Sequence, residues 1–218
     1  MKKVNKNIET QRVKTILEKL SERYPVTETQ LQSMTAFQLL VAVILSAQCT
    51  DARVNIVTKD LFAKYPAPED YVNITPEELE KLIFSTGFYK AKAKNIKAMA
   101  IKLLDDFGGV VPDTMEDLLK LPGVGRKSAN VIMGDWFNKP VGIVVDTHVI
   151  RISNRLDFCD TNNPEKIELA LTQIIPKEKW VPFTHYLILL GRSICKARRP
   201  LCADCFIAEN CNSKDKTI

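Results

Sequence analysis

Residues 121–127 read Leu121-Pro122-Gly123-Val124-Gly125-Arg126-Lys127 and hold two of the eight glycines of the chain. Hydrophobic spacing predicts a short helix over 114–120 in front of this stretch and a second helix over 126–136 behind it. Because glycine reaches positive φ without a Cβ clash, Gly-x-Gly between two helices indicates a tight turn. The free backbone N–H groups and the positive dipole end of the second helix would then form an anion site.

Two cations, Arg126 and Lys127, follow the glycines directly. A cation in the first turn of a helix is unfavourable by roughly a few tenths of a kcal/mol, so two in a row need a reason. Binding of a nucleic-acid backbone would be such a reason, because its phosphates would contact the turn at Gly123, Val124 and Gly125 together with both cations. The alternative is an ordinary glycine-rich connector between two helices.

The rest of the chain predicts helices and no sheet. Apolar spacing indicates about ten helices, among them 35–48, 51–65 and 90–107, and Pro66 and Pro68 are expected to stop the second of these. Only residues 141–145 have a strand-like composition, and that run is too short to anchor a sheet. The predicted fold class is all-α. Weak seams near 25–29 and 138–140 divide the chain into one helical bundle, residues 29–138, and a second, in which residues 1–28 pack with residues 139–218.

The positive charge is concentrated in one part of the chain. The 218 residues carry a net charge of +5, and between Lys120 and Pro200 there are 13 Lys and Arg against 7 Asp and Glu. A basic face indicates a polyanion partner, although chance asymmetry of a solvated surface would give the same count. The longest apolar run, Leu39–Leu45, is too short to span a bilayer, and no signal peptide is recognisable. We therefore expect a cytoplasmic protein with no membrane partner.

Four of the six cysteines lie in the last 24 residues, with the spacing C-x6-C-x2-C-x5-C. In a cytosolic chain they are not expected to form disulfides. Four thiolates in one short segment can hold a zinc ion or a 4Fe-4S cluster. Zinc folds usually offer two C-x2-C pairs and this segment has one, which modestly favours the cluster. The predicted ligands are Cys195, Cys202, Cys205 and Cys211.

Three cations, Lys196, Arg198 and Arg199, stand between the first two of these cysteines. A loop pinned by a metal centre would hold them as a rigid finger that contacts phosphate. The alternative is charge compensation for four thiolates, and both can hold together.

Three motifs in this order resemble one family of DNA repair enzymes. They are the hairpin of residues 121–127, the sequence Val-Asp-Thr-His-Val over 145–149, and the cysteine spacing; the early stretch Leu45–Asp51 agrees with them. The chain resembles the endonuclease III family, the helix-hairpin-helix DNA glycosylases and AP lyases with an iron–sulfur cluster. The resemblance covers essentially the whole chain.

The resemblance implies a fold and an activity. It implies a six-helix domain that contains the helix-hairpin-helix, an iron–sulfur domain built from both termini, and a DNA-binding cleft between the two. It implies a bifunctional enzyme of base excision repair, expected to be a monomer at the nucleoid. Such an enzyme removes oxidised pyrimidines from double-stranded DNA, acts on abasic sites, and cleaves the strand by β-elimination.

The resemblance also assigns roles to residues. Lys127 is implied as the nucleophile and Asp146 as its carboxylate partner; from the residues alone, Asp146 could also be a helix N-cap, and both roles can hold together. Gln48 is implied to fill the space left by the extruded base, although a buried amide at a helix end is the alternative. Phe88 falls where the family has a second apolar wedge, often leucine. His148 could contact a phosphate or pack within its helix.

Two rival functions have different consequences. The adenine-removing branch of the same family lacks a lysine at the position of Lys127 and usually has an extra C-terminal domain. A DNA-binding module without catalysis would need neither Lys127 nor Asp146. Covalent trapping on DNA separates these possibilities, because only an amine nucleophile forms a reducible Schiff base.

Overall fold

The computed structural model describes residues 6–27 and 29–217. These residues form α-helices with short 3-10 and π segments and include no β-strand, so the all-α prediction is confirmed. None of the described helices has the length and apolar character needed to cross a membrane. The α-helices are α1 (Lys6–Arg23), α2 (Ala36–Leu45), α3 (Asp51–Lys64), α4 (Pro68–Asn73), α5 (Pro76–Ile83), α6 (Tyr89–Phe107), α7 (Met115–Leu118), α8 (Arg126–Val131), α9 (Thr147–Arg155), α10 (Pro164–Ile174) and α11 (Trp180–Ser193).

The chain divides into two compact units. One unit is residues 29–141 and contains α2 to α8. The other combines α1 with residues 142–217, which contain α9 to α11 and the cysteine segment. Residues 1–5 and 28, which the predicted domain division includes, and residue 218 lie outside the described residues.

The core of the 29–141 unit surrounds α2. Residues 37–45 of this helix are buried on every side, and α6 packs a stripe that includes Ile96, Met99 and Leu103 into the same cluster. The predicted extension of α2 to residue 48 is wrong, because the helix ends at Leu45 and Gln48 has a φ of +54°. A left-handed residue cannot continue a right-handed helix.

Helix α4 was not predicted from the sequence. Pro66 and Pro68 do end α3, but Pro68 also occupies the first position of the next helix, where its missing N–H costs nothing. The Asp70 carboxylate accepts a hydrogen bond from the Ala67 N–H at 2.9 Å and so caps the new helix.

The helix behind the glycine turn changes its winding. Residues 126–131 are α-helical, and Ile132–Trp136 form a π segment in place of the predicted continuous α-helix. The Phe137 N–H donates to the Ile132 carbonyl at 3.1 Å, which is the wider i→i+5 spacing.

In the second unit, α9 and α11 pack closely at Gly191. A Cβ at this position would lie 2.7 Å from His148 Cδ2 and 3.1 Å from Ile152 Cδ1, so only glycine fits without a shift. Helix α1 buries Ile16 and Leu20 in the same core, and Arg12 donates to the carbonyls of Leu156 and Asn210 at 2.8 and 3.1 Å. The start of α9 and the cysteine segment therefore belong to one packed body.

Candidate active site

The stretch 121–127 contains the predicted tight turn between two helices, α7 and α8. Gly123 has a φ of +79°, and a Cβ there would lie 2.9 Å from Asn95 Cβ on α6. Gly125 has an extended φ of −96°, which any residue can adopt, so the turn does not need a glycine there for its backbone conformation. A Cβ at Gly125 would meet nothing within 4 Å. The space in front of α8 is therefore open to a ligand within this unit.

Arg126 and Lys127 are exposed in the first turn of α8. Val124 between the two glycines is buried and donates its N–H to the Leu121 carbonyl at 3.1 Å, which closes the turn. The amine of Lys127 thus stands on a short helix that is held by a closed turn on one side and by buried Ala129 and Asn130 on the other.

Asp146 is the N-cap of α9. Its Oδ1 accepts the backbone N–H groups of His148 at 2.8 Å and Val149 at 2.9 Å, and its Oδ2 lies 2.9 Å from His148 Nδ1. The helix-cap alternative is therefore present in the structure. The same contacts fix the direction of the carboxylate, so the cap does not exclude a chemical role. His148 contacts Asp146 through its ring and is half-buried.

Gln48 and Phe88, called the wedge residues here because both are predicted to enter the duplex, are exposed and have an unusual backbone conformation. Gln48 and Phe88 have φ of +54° and +48°, and the Phe88 side chain is 66% exposed. Asn and Asp tolerate this region, but a glutamine or a phenylalanine pays about 1–2 kcal/mol for it. Strain of this kind persists at functional sites. The alternative of a buried amide at Gln48 is wrong, because the side chain is exposed.

The four cysteines predicted as ligands line one pocket, together with apolar side chains such as Leu190, Ile194 and Ile207. No three Cys, His, Asp or Glu side chains of the described residues converge on a point that a single ion could occupy. Four thiols around one pocket fit a cluster in which each iron takes one thiolate. Burial raises the pKa of the Cys205 thiol, and metal binding is what makes such a thiol a thiolate.

Two arginines of α9 bind the start of the cysteine segment. Arg155 Nη1 donates to Cys195 Sγ at 3.3 Å and to the Lys196 carbonyl at 2.7 Å. Arg151 Nη2 donates to the Cys195 carbonyl at 3.1 Å, and burial lowers its pKa. Helix α9 therefore carries Asp146 at one end and contacts to a cluster ligand at the other.

The finger residues Lys196, Arg198 and Arg199 are exposed, and Arg199 has a φ of +53°. Of the described residues other than glycine with positive φ, the three that are neither Asn nor Asp are Gln48, Phe88 and Arg199. All three were predicted DNA contacts.

Sequence reasoning missed Arg151, Arg155 and Gly191. The two arginines are four residues apart on α9, so a helical projection places them on one face, and that signal was available. Nothing local marks Gly191, because the side chains that need its space come from another helix.

The chain is similar to known DNA repair proteins over most of its length. The HhH-GPD superfamily of base excision DNA repair proteins matches residues 41–177, and the iron-sulfur binding domain of endonuclease III matches residues 195–211. Endonuclease III of Synechocystis sp. is 46% identical over 203 residues, 93% of each chain. Endonuclease III of Bacillus subtilis is 46% identical over 201 residues, 92% of this chain and 91% of its own. A structure of a trapped endonuclease III–DNA covalent intermediate has a TM-score of 0.87 at 45% identity and covers 93% of this chain and 95% of that one.

The fold and the matched models define a helix-hairpin-helix DNA glycosylase of base excision repair. The chain belongs to the endonuclease III family, whose members are DNA glycosylases with AP lyase activity and carry a 4Fe-4S cluster. The predicted family, activity and cofactor are confirmed, and the zinc alternative is wrong.

Proposed function

We propose that this protein excises oxidised pyrimidines from double-stranded DNA and cleaves the resulting abasic site, with Lys127 as nucleophile and Asp146 as its carboxylate partner. The observation that carries the proposal is the exposed Lys127 amine in the first turn of α8, directly behind an open glycine turn. Action on genomic DNA would place the protein at the nucleoid, and one copy of the chain supplies every residue that the proposal uses.

The proposed reaction begins with attack of Lys127 Nζ on C1′ of the damaged nucleotide. The N–C1′ bond forms, the bond from C1′ to the base breaks, and the base leaves with a proton. Opening of the sugar gives a protonated Schiff base, which acidifies the C2′ hydrogen. Removal of that proton expels the 3′ phosphate by β-elimination, and water finally releases Lys127.

Asp146 serves this scheme as a fixed negative charge. A carboxylate can stabilise the cationic character that develops at the sugar, or accept a proton from the amine. Its contacts with the His148 and Val149 N–H groups and with the His148 ring leave it little freedom to rotate. Such preorganisation is what electrostatic catalysis requires.

The DNA contacts are proposed as two kinds. The turn at Gly123, Val124 and Gly125, with Arg126 and His148, binds phosphate, as do Lys196, Arg198 and Arg199 of the finger. Gln48 and Phe88 occupy the duplex once the damaged nucleotide has left the stack, which a base buried in a duplex must do before it can react.

Borohydride trapping tests the proposal on duplexes that carry an oxidised pyrimidine, a mispaired adenine or no lesion. The wild-type protein is expected to become covalently bound only to the first. Lys127→Ala should not be trapped, while Lys94→Ala, which removes another exposed lysine of the same unit, should be trapped like wild type.

Each contrary result has a distinct meaning. Trapping of Lys127→Ala at the wild-type rate would assign the nucleophile to another amine. Binding of lesion DNA without any trapping of the wild-type protein would favour a DNA-binding module. Release of adenine without trapping would favour the adenine-removing branch.

A further inference from the structure

Lys92 is a buried lysine that the proposed reaction does not use. Its side chain is 5% exposed, whereas Lys90 and Lys94 on the same helix face solvent. Lys92 lies one turn before Ile96 on the buried stripe of α6, where an apolar residue would be expected. Burial lowers its pKa, because desolvation disfavours the charged amine. A polar group at a core position needs hydrogen bonds that offset the free energy lost when it leaves water.

The partners are two backbone carbonyls from different parts of the unit. Lys92 Nζ donates to the Leu45 carbonyl at 2.8 Å and to the Thr86 carbonyl at 2.8 Å. Leu45 is the last residue of α2, and Thr86 is the last residue of a 3-10 turn that begins at Phe84. Both carbonyls are at helix ends, where intrahelical donors are missing.

These two helix ends lead into the two strained wedge positions. Gln48 follows Leu45 by three residues, and Phe88 follows Thr86 by two. Both residues hold a left-handed backbone that side chains other than Asn and Asp rarely adopt, so each must be held by its surroundings. One nitrogen atom therefore anchors the start of both segments.

We propose that Lys92 is a positioning residue that couples the Gln48 and Phe88 segments, so that both wedges are held ready for one opened base pair. This inference rests on the proposed function, because it assumes that Gln48 and Phe88 enter the duplex. Because Lys92 is buried, it contacts neither DNA nor the reacting atoms in this proposal. Its effect is confined to the step in which the damaged base leaves the stack.

Helix α6 also supplies a matched control. Lys97, five residues further on, donates to the carbonyls of Tyr71, Val72 and Ile74 near the end of α4. It makes the same type of contact from a half-buried position and serves no wedge segment. Lys92→Met and Lys97→Met each replace the amine with an apolar chain of similar length and remove the hydrogen bonds.

The experiment compares two activities of each purified variant loaded with its cluster. One is excision of an oxidised pyrimidine paired with guanine, and the other is strand cleavage at a preformed abasic site. Extrusion costs least where the base is missing, so Lys92→Met should lower kcat/KM for excision about tenfold and for abasic cleavage by less than about threefold. Lys97→Met should change both activities by the same factor. Lys92→Gln, which keeps a donor amide, should recover part of the excision activity.

A second measurement does not depend on turnover. A duplex with 2-aminopurine opposite a non-cleavable abasic analogue reports unstacking as a rise in fluorescence. Wild type and Lys97→Met should give the full rise at saturation, and Lys92→Met a smaller one.

The coupling role would be overturned if Lys92→Met lowered excision and abasic-site cleavage by the same factor. It would also be overturned if both activities and the fluorescence rise of Lys92→Met stayed at the wild-type level. If Lys92→Met does not fold, the same ratio is measured for Lys92→Gln and decides in the same way. Trapping of the wild-type protein at Lys127 is a separate result, so failure of the Lys92 inference and failure of the proposed function can be told apart.

Discussion

Asp146 holds the backbone of His148 through one carboxylate oxygen and the ring of His148 through the other. Oδ1 accepts the His148 N–H at 2.8 Å, and Oδ2 lies 2.9 Å from Nδ1. The carboxylate therefore caps α9 and orients a side chain that was predicted to contact DNA. A substitution at this position changes a cap and a charge together, so the two effects have to be separated by design.

Asp146→Asn and Asp146→Ala make that separation. Asparagine caps helices about as well as aspartate, so the free energy of unfolding of Asp146→Asn should lie within about 0.5 kcal/mol of the wild-type value. Asp146→Ala should lower the free energy of unfolding by about 1 kcal/mol. Both should lower the single-turnover rate about 100-fold or more, because both remove the negative charge. Urea unfolding and single-turnover kinetics measure the two effects. An Asn variant with wild-type rate would show that Asp146 is a cap and nothing more.

Gly191→Ala tests whether the space at α11 keeps His148 against Asp146. Alanine favours a helix over glycine by about 0.5–1 kcal/mol. Its Cβ would nevertheless stand 2.7 Å from His148 Cδ2 and 2.8 Å from Arg151 Nη2, so both side chains must shift. We expect a net destabilisation of about 1–3 kcal/mol and a changed NMR signal of the His148 ring. The matched control is Gly125→Ala, where a Cβ meets no protein atom; a stabilised Gly191→Ala with an unmoved ring would contradict the packing argument.

Arg155→Met tests the hydrogen bond to a cluster ligand. Arg155 places a positive charge 3.3 Å from Cys195 Sγ, and such a charge favours the more negative, reduced state of a cluster. Its removal should shift the reduction potential to more negative values and speed the loss of visible absorbance under a chelator. Voltammetry and bleaching kinetics measure these effects without any enzyme assay. Arg198→Ala removes an equal charge from the exposed loop, and an equal shift in that variant would assign the effect to general electrostatics.

The chemistry-bearing stretches of this chain were predictable because their signals are local. A glycine turn before a helix, Asp146 before α9 and four closely spaced cysteines each depend on neighbours in sequence. Most of the helices were predicted from apolar spacing, which is also a local signal. The structure adds the open space in front of Gly125 and the pocket that the four thiols line, neither of which is a property of a short segment.

What the sequence did not reveal depends on contacts between distant segments or on single backbone angles. Gly191 is needed by side chains of α9, and Lys92 binds carbonyls 47 and 6 residues away. The end of α2 at Leu45 was missed because apolar spacing cannot report a left-handed residue at Gln48. Helix α4 was missed because Pro68 was interpreted as a stop, although proline is also a frequent first residue of a helix.

Arg199→Gly and Arg198→Ala test the finger, and the backbone of Arg199 makes the first variant informative. At a φ of +53°, glycine relieves strain of about 1–2 kcal/mol, which its greater freedom in the unfolded chain partly offsets. Folding stability should therefore stay within about 1 kcal/mol of wild type, while each lost cation should reduce the slope of log Kd against log salt by about 1. Binding to a duplex with a non-cleavable abasic analogue at several salt concentrations measures the slope. Lys166→Ala on α10 removes one exposed cation of the same unit and should leave the slope unchanged, so equal slopes for all three variants would exclude the finger as a phosphate contact.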